Sequence, residues 1–124
     1  MDWLLLAAGS GSAAAGFAHA VHGEMRFLPP YMESGTVADK DAPTSAAVLR
    51  LSWHVWALAY LAFAVMLVRF YLEDSLSDAG RWVVTAIAGC YAAASLLSFL
   101  FLKGRHVSAW LWLGLAALTY VGLV

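Results

Sequence analysis

Four apolar runs divide this chain, and their lengths limit what it can fold into. They cover about 3–22, 46–72, 81–102 and 107–124, each near the roughly 20 residues that a helix needs to cross a bilayer. The connections "EDSLSDAG" (73–80) and "KGRH" (103–106) are short, so the second, third and fourth helices must alternate in direction. The one long polar connection, 23–45, separates the first helix from the second. The pattern predicts an all-α polytopic membrane protein, a single domain over 1–124 with four transmembrane helices in an up-down bundle.

Composition supports the membrane over a soluble core. Hydrophobic residues make up 63% of the 124 and charged residues 12%, with a mean hydropathy of +0.76. Soluble domains run near 45–50% and about 25%, and a chain this small has too little polar surface to cover the difference. Six Trp and five Tyr supply the amphipathic rings that favour bilayer interfaces. Trp3, Arg81–Trp82, Trp110 and Trp112 read as interface anchors. The formal charge of −1 provides no basic field for nucleic acid. A lone cysteine, Cys90, excludes an internal disulfide and a CxxC pair and is expected as a small core residue of the third helix.

The first run resembles a secretory signal in one respect, the small-x-small "AHA" at 18–20. Its leading residues carry Asp2 and no Lys or Arg, so an uncleaved helix is expected. Arg26, Lys40, Arg50, Lys103 and Arg105 fall on one side of the predicted topology, against Arg69 and Arg81 on the other. The positive-inside rule then places the long connection in the cytoplasm and both termini outside. Ala8, Ser12, Gly16 and Ala20 repeat every four residues, and "AIAGCYAAAS" in the third run is similarly small. Such stripes let helices approach closely, within a chain or between copies. In "RFLPPYMESG", Pro29 and Pro30 oppose a helix and push Leu28 toward extended backbone. The segment, with Phe27, Tyr31 and Met32, is expected to lie in the interface as a surface loop or flap.

Chemistry concentrates in "FAHAVHGEMRF" (17–27), where His19, His22, Glu24 and Arg26 close an apolar run. The predicted topology brings the start of the second helix, with Arg50 and His54, and the start of the fourth, with His106, to that same membrane face. His19 and His22 are spaced i,i+3 and Arg50 and His54 i,i+4, so each pair shares a helix surface. An imidazole inside a bilayer needs a partner and faces the bundle interior. For His54 the candidate partners are Glu24, His22 and Ser52; for His19 they are Arg50, Ser95 or Ser98.

Three readings follow. His22, Glu24, His54 and His106, supported by His19 and Arg50, form a metal site, since three nitrogens and one oxygen suit a divalent transition metal such as zinc, iron or copper. The same residues form a proton relay, because imidazole titrates near neutrality. Or they form a polar network that ties helix ends together. Haem, with His19 and His54 as axial ligands near Trp53, Trp56 and Phe17, ranks below a bare metal. No HExxH, CxxC or GxSxG signature occurs, so hydrolytic chemistry has no support.

The stretch "SLLSFLFLKGRHVSAWLWLGLAALTYVGLV" resembles the last two helices of the small multidrug resistance family in its short basic turn and Gly/Ala-rich final helix. That resemblance implies a small dimeric transporter. The family's membrane-embedded Glu in the first helix is missing here, where the chain reads "AAGSGSAAAG", so its proton-coupled mechanism does not carry over. "AHAVHGE" followed by "RLSWHVWAL" resembles a family of small four-helix membrane proteins of bacteria, with an HxxxGE-type end to the first helix and an RxxWH start to the second. This resemblance implies four helices in a bacterial inner membrane and His19, Glu24, Arg50 and His54 acting as one unit, with no activity attached. The chain's expected partners are the lipid bilayer and either a second copy or another membrane protein. A non-catalytic accessory subunit or homo-oligomeric scaffold is the alternative to a metal-binding or ligand-binding protein.

Overall fold

Backbone groups inside a bilayer must find partners within their own segment, and the apolar runs do so as helices. The computed structural model describes residues 3–33, 42–73, 75–103 and 105–124, and among these every element is helical. In order they are α1 (Trp3–His22), a π-helical segment (Gly23–Phe27), α2 (Leu28–Glu33), α3 (Ala42–Tyr71), α4 (Asp78–Leu102) and α5 (Val107–Val121). Three stretches, Trp3–Pro30, Thr44–Tyr71 and Asp78–Leu102, are long and apolar enough to cross a membrane. The fourth helix is shorter than the expected 107–124: its 15 residues rise about 22 Å, against a hydrocarbon core of about 30 Å. Lys40 and the middle of the 23–45 connection lie outside the described residues, as do the side chains of Tyr31 and Met32.

The double proline corrects one expectation. Leu28 is helical, at φ −71° and ψ −41°, and the chain continues through Pro29 and Pro30 as α2. A proline lacks an N–H and crowds the carbonyl four residues back. Those carbonyls belong to Met25 and Arg26, inside the widened π turn, whose register gives Leu28 a bond from its N–H to Gly23 O. The wider turn relieves the crowding that would otherwise end the helix. Leu28 is buried, at 2% exposure, and is no part of an interfacial flap.

The chain forms two units, Met1–Ser12 with Phe63–Val124, and Ala13–Ala62. In the first, α4 packs on α5. Ser77 caps α4 by accepting the Gly80 N–H at 3.1 Å, which starts the helix three residues before Arg81. The α4–α5 turn passes through Lys103 in left-handed conformation, φ 52°, and His106 caps α5. Tyr91 fills the centre with no exposed surface. Its ring meets Phe63 edge-on at 5.6 Å and Trp112 face-on at 6.1 Å. Ser12 donates its single proton to Ala8 O at 2.7 Å, so in the Ser12–Tyr91 hydroxyl pair the tyrosine is the donor. Ser95, a candidate partner for His19, instead donates to Ala109 O at 2.8 Å.

Helix register also corrects Cys90. Val84, Ile87, Ala88, Tyr91 and Ser95 occupy the buried side of α4, which turns Cys90 outward to an exposed position. In the stripe on α1, Ala8 and Ser12 have no exposed surface.

The second unit pairs the later part of α1 with the earlier part of α3. A Cβ at Gly16 would stand 3.0 Å from Ala57 O and 3.1 Å from Tyr60 Cβ, so the helices touch backbone to backbone there. Ala15, Leu28, Ala57 and Tyr60 are its buried apolar residues.

Candidate functional site

The candidate site lies within the second unit, where the π segment faces the first half of α3. Glu24 follows Gly23, the first position of the π-helical segment. Across from it, Arg50 and His54 stand one turn apart on α3. Arg50 Nε donates to Glu24 Oε1 at 2.7 Å, and Arg50 Nη2 donates to Oε2. His54 Nε2 lies 2.7 Å from Oε1. A carboxylate only accepts, so that nitrogen carries the proton. The bidentate fork matches guanidinium to carboxylate geometry and is the strong form of this pair.

Arg50, Glu24 and His54 side chains keep 53%, 33% and 39% of their surface. The network is therefore not enclosed by the protein, unlike the sealed Ser12–Tyr91 pair.

Aromatic residues fix the frame around these groups. Trp53 stacks on His19, with centroids 4.1 Å apart and planes 6° from parallel, and on Phe27 at 4.4 Å and 22°. Its indole N–H donates to His19 O at 2.8 Å. Tyr60 meets the His19 ring edge-on at 6.1 Å. Gly23 is required because Trp53 occupies the space of a side chain: a Cβ there would lie 2.6 Å from indole Cε2. His19 Nε2 is buried with no hydrogen-bond partner among the described residues.

The expected site residues separate as follows. Glu24, Arg50 and His54 come together, and Glu24 is the partner of His54. His19 takes neither Arg50 nor a hydroxyl; its ring lies against Trp53. His22 is exposed on α1 beside Phe17, Ala18 and Arg26. His106 accepts the Ser108 N–H on Nδ1 at 3.2 Å and meets Ser108 Oγ at 2.8 Å, the work of a helix cap. Among the described residues no group of three or more His, Cys, Asp or Glu side chains could hold a metal ion. Trp53 and Phe27 were missed as the frame of the site. The available signal was an indole in an apolar helix, whose N–H must find an acceptor.

Compared with protein-family models, with curated proteins and with solved structures, the chain matches none.

Proposed function

We propose that this chain is a small integral membrane protein of four helices in up-down order that binds a small polar ligand or metal ion at Glu24, Arg50 and His54. The observation that carries the reading is the Glu24 carboxylate, held by Arg50 and His54 in a network whose side chains keep a third to a half of their surface uncovered by the protein. A group that is both complete and accessible can exchange partners with a solute or move a proton, whereas a purely structural tie gains from being closed. His19, five residues before Glu24, adds a nitrogen without a partner among the described residues. A divalent cation at this position would have to displace Arg50 from Glu24 and recruit further ligands. The polar-ligand form of the reading needs no such displacement. The host membrane is a bacterial inner membrane, with the 23–45 connection on the cytoplasmic side.

The test is elemental analysis and an absorption spectrum of detergent-purified protein beside His54→Ala, followed by thermal scans with divalent metals, small carboxylates and phosphates. Stoichiometric metal, or a solute-induced rise in melting temperature lost in His54→Ala, supports a site. A metal-free protein that responds to no solute, and melts as the variant does, refutes it.

A second reading, an accessory or homo-oligomeric scaffold, is favoured by the outward face of α4. Ala86, Gly89, Cys90 and Ala93 are all exposed there, and a Cβ on Gly89 would meet nothing within 4 Å. Small residues in a membrane helix favour close contact with another helix. Cys90 is the only cysteine, so oxidative cross-linking in native membranes reports directly on self-association at that face.

A further inference from the structure

A groove of about 330 Å³ runs along the surface of α1 and the π segment, lined by Phe17, Ala18, Val21, His22, Met25 and Arg26. Residues four apart stack above one another on a helix, so the lining forms two rows. Phe17, Val21 and Met25 make an apolar row, exposed at 68%, 41% and 75%. Ala18, His22 and Arg26 make the other, which starts with a methyl group and ends in an imidazole and a guanidinium.

The groove is thus apolar along its length and cationic at one end, over ten residues or about 14 Å of helix rise. It lies within Trp3–Pro30, a stretch long and apolar enough to cross a membrane, with Arg26 toward the end that follows the apolar run. Arg26 takes part in none of the ion pairs among the described residues, which join Arg50 and His54 to Glu24 and Arg69 to Glu73. A membrane helix that presents, next to an apolar channel, a guanidinium with no ion pair among the described residues matches a molecule whose charge is negative and whose remainder is hydrocarbon.

We propose that this groove seats an anionic phospholipid, with an acyl chain along Phe17, Val21 and Met25 and the phosphate on Arg26 beside His22. The apolar row alone selects nothing, because lipid tails are as apolar as the side chains they would contact. Selection comes from the headgroup: a guanidinium offers a phosphate two parallel donors, and one basic side chain near the membrane surface favours an anionic over a zwitterionic lipid by about fivefold. The proposal is independent of the Glu24 network, which uses neither Arg26 nor Phe17.

Native mass spectrometry of the whole protein, titrated with phosphatidylglycerol or phosphatidylcholine of matched chains, tests it. The expected result is a preference of about fivefold for phosphatidylglycerol, abolished in Arg26→Ala, partly kept in Arg26→Lys and unchanged in Arg105→Ala. Phe17→Ala should weaken both lipids alike. Equal binding of the two lipids by the native chain would overturn the proposal. So would an equal loss in Arg26→Ala and Arg105→Ala, which would mean diffuse attraction without a site. Displacement of phosphatidylglycerol by soluble glycerol phosphate would overturn it as well, since the tail would then contribute nothing. Arg26 is exposed, so its variants should keep the native helicity, and circular dichroism checks that they do.

Discussion

Gly23→Ala and Gly89→Ala are the same chemical change in two helical segments and should have opposite effects on stability. At Gly23 the new Cβ would overlap the Trp53 indole, with Cε2 at 2.6 Å. The indole has little freedom to yield, because it stacks on His19 and Phe27 and its N–H is bonded to His19 O. Overpacking of this kind costs about 1–3 kcal/mol. Breaking the indole hydrogen bond adds about 0.6 kcal/mol in a membrane setting, and the better helix propensity of Ala returns about 1 kcal/mol. The net expectation is a loss of about 0.6–2.6 kcal/mol. At Gly89 a Cβ meets nothing within 4 Å, so only the propensity gain of up to about 1 kcal/mol remains. Unfolding in mixed micelles by titration with a denaturing detergent, followed by far-ultraviolet circular dichroism, measures both. The decisive control is Gly23→Ala made in a Trp53→Ala background, where the penalty should largely vanish. Equal stability of Gly23→Ala and the native chain, or a penalty that survives removal of Trp53, would refute the reasoning.

Three further outcomes are expected in the same assay. Glu24→Gln and Arg50→Gln should each lower the unfolding midpoint, the pair together by less than the sum; Arg50→Lys should not restore it, because two guanidinium nitrogens share the carboxylate and an ammonium cannot reproduce the fork. The coupling should shrink as salt is added, since the side chains are partly exposed and screened. Lys103→Gly should stabilise by about 1 kcal/mol, the cost of a Cβ at φ 52° less the extra freedom of unfolded glycine. Tyr91→Phe should cost about 0.6 kcal/mol through its hydroxyl, while Tyr91→Ala should cost about 3–5 kcal/mol by opening a cavity in the first unit; similar losses for the two would mean that the hydroxyl, and not the ring, holds that core.

What could be read from the sequence was whatever depends on one segment at a time. Apolar length is such a property, and it located the helices, although α3 and α4 begin earlier than expected and α5 is short. The pairing of His54 with Glu24 was also legible, because an imidazole in an apolar run needs a partner and the end of the first helix lies on the side where the second begins. Three features depended on contacts that no segment announces by itself. Pro29 and Pro30 forbid an ordinary helix, but only the π turn before them shows how the chain accommodates both. His19 was expected to hydrogen-bond and stacks instead, because Trp53 arrives from the neighbouring helix with its ring parallel and its N–H aimed at the His19 carbonyl. Cys90 was expected inward and faces outward, since the register of α4 follows Tyr91.

These misses share a cause that bears on the site itself. Glu24 meets Arg50 and His54 only while the π segment holds its register, and Gly23, at the head of that segment, is compressed against Trp53. Trp53 in turn stands between Arg50 and the rest of α3 in sequence and immediately precedes His54. One indole thus sets the spacing between the two helices at the level where the carboxylate and its partners must reach each other. A change at Trp53 should therefore disturb the charge network even though the ring touches none of its hydrogen bonds, whereas loss of Glu24 should leave the stack of His19, Trp53 and Phe27 in place. That asymmetry makes the aromatic stack the support and the charged residues the part free to engage a ligand.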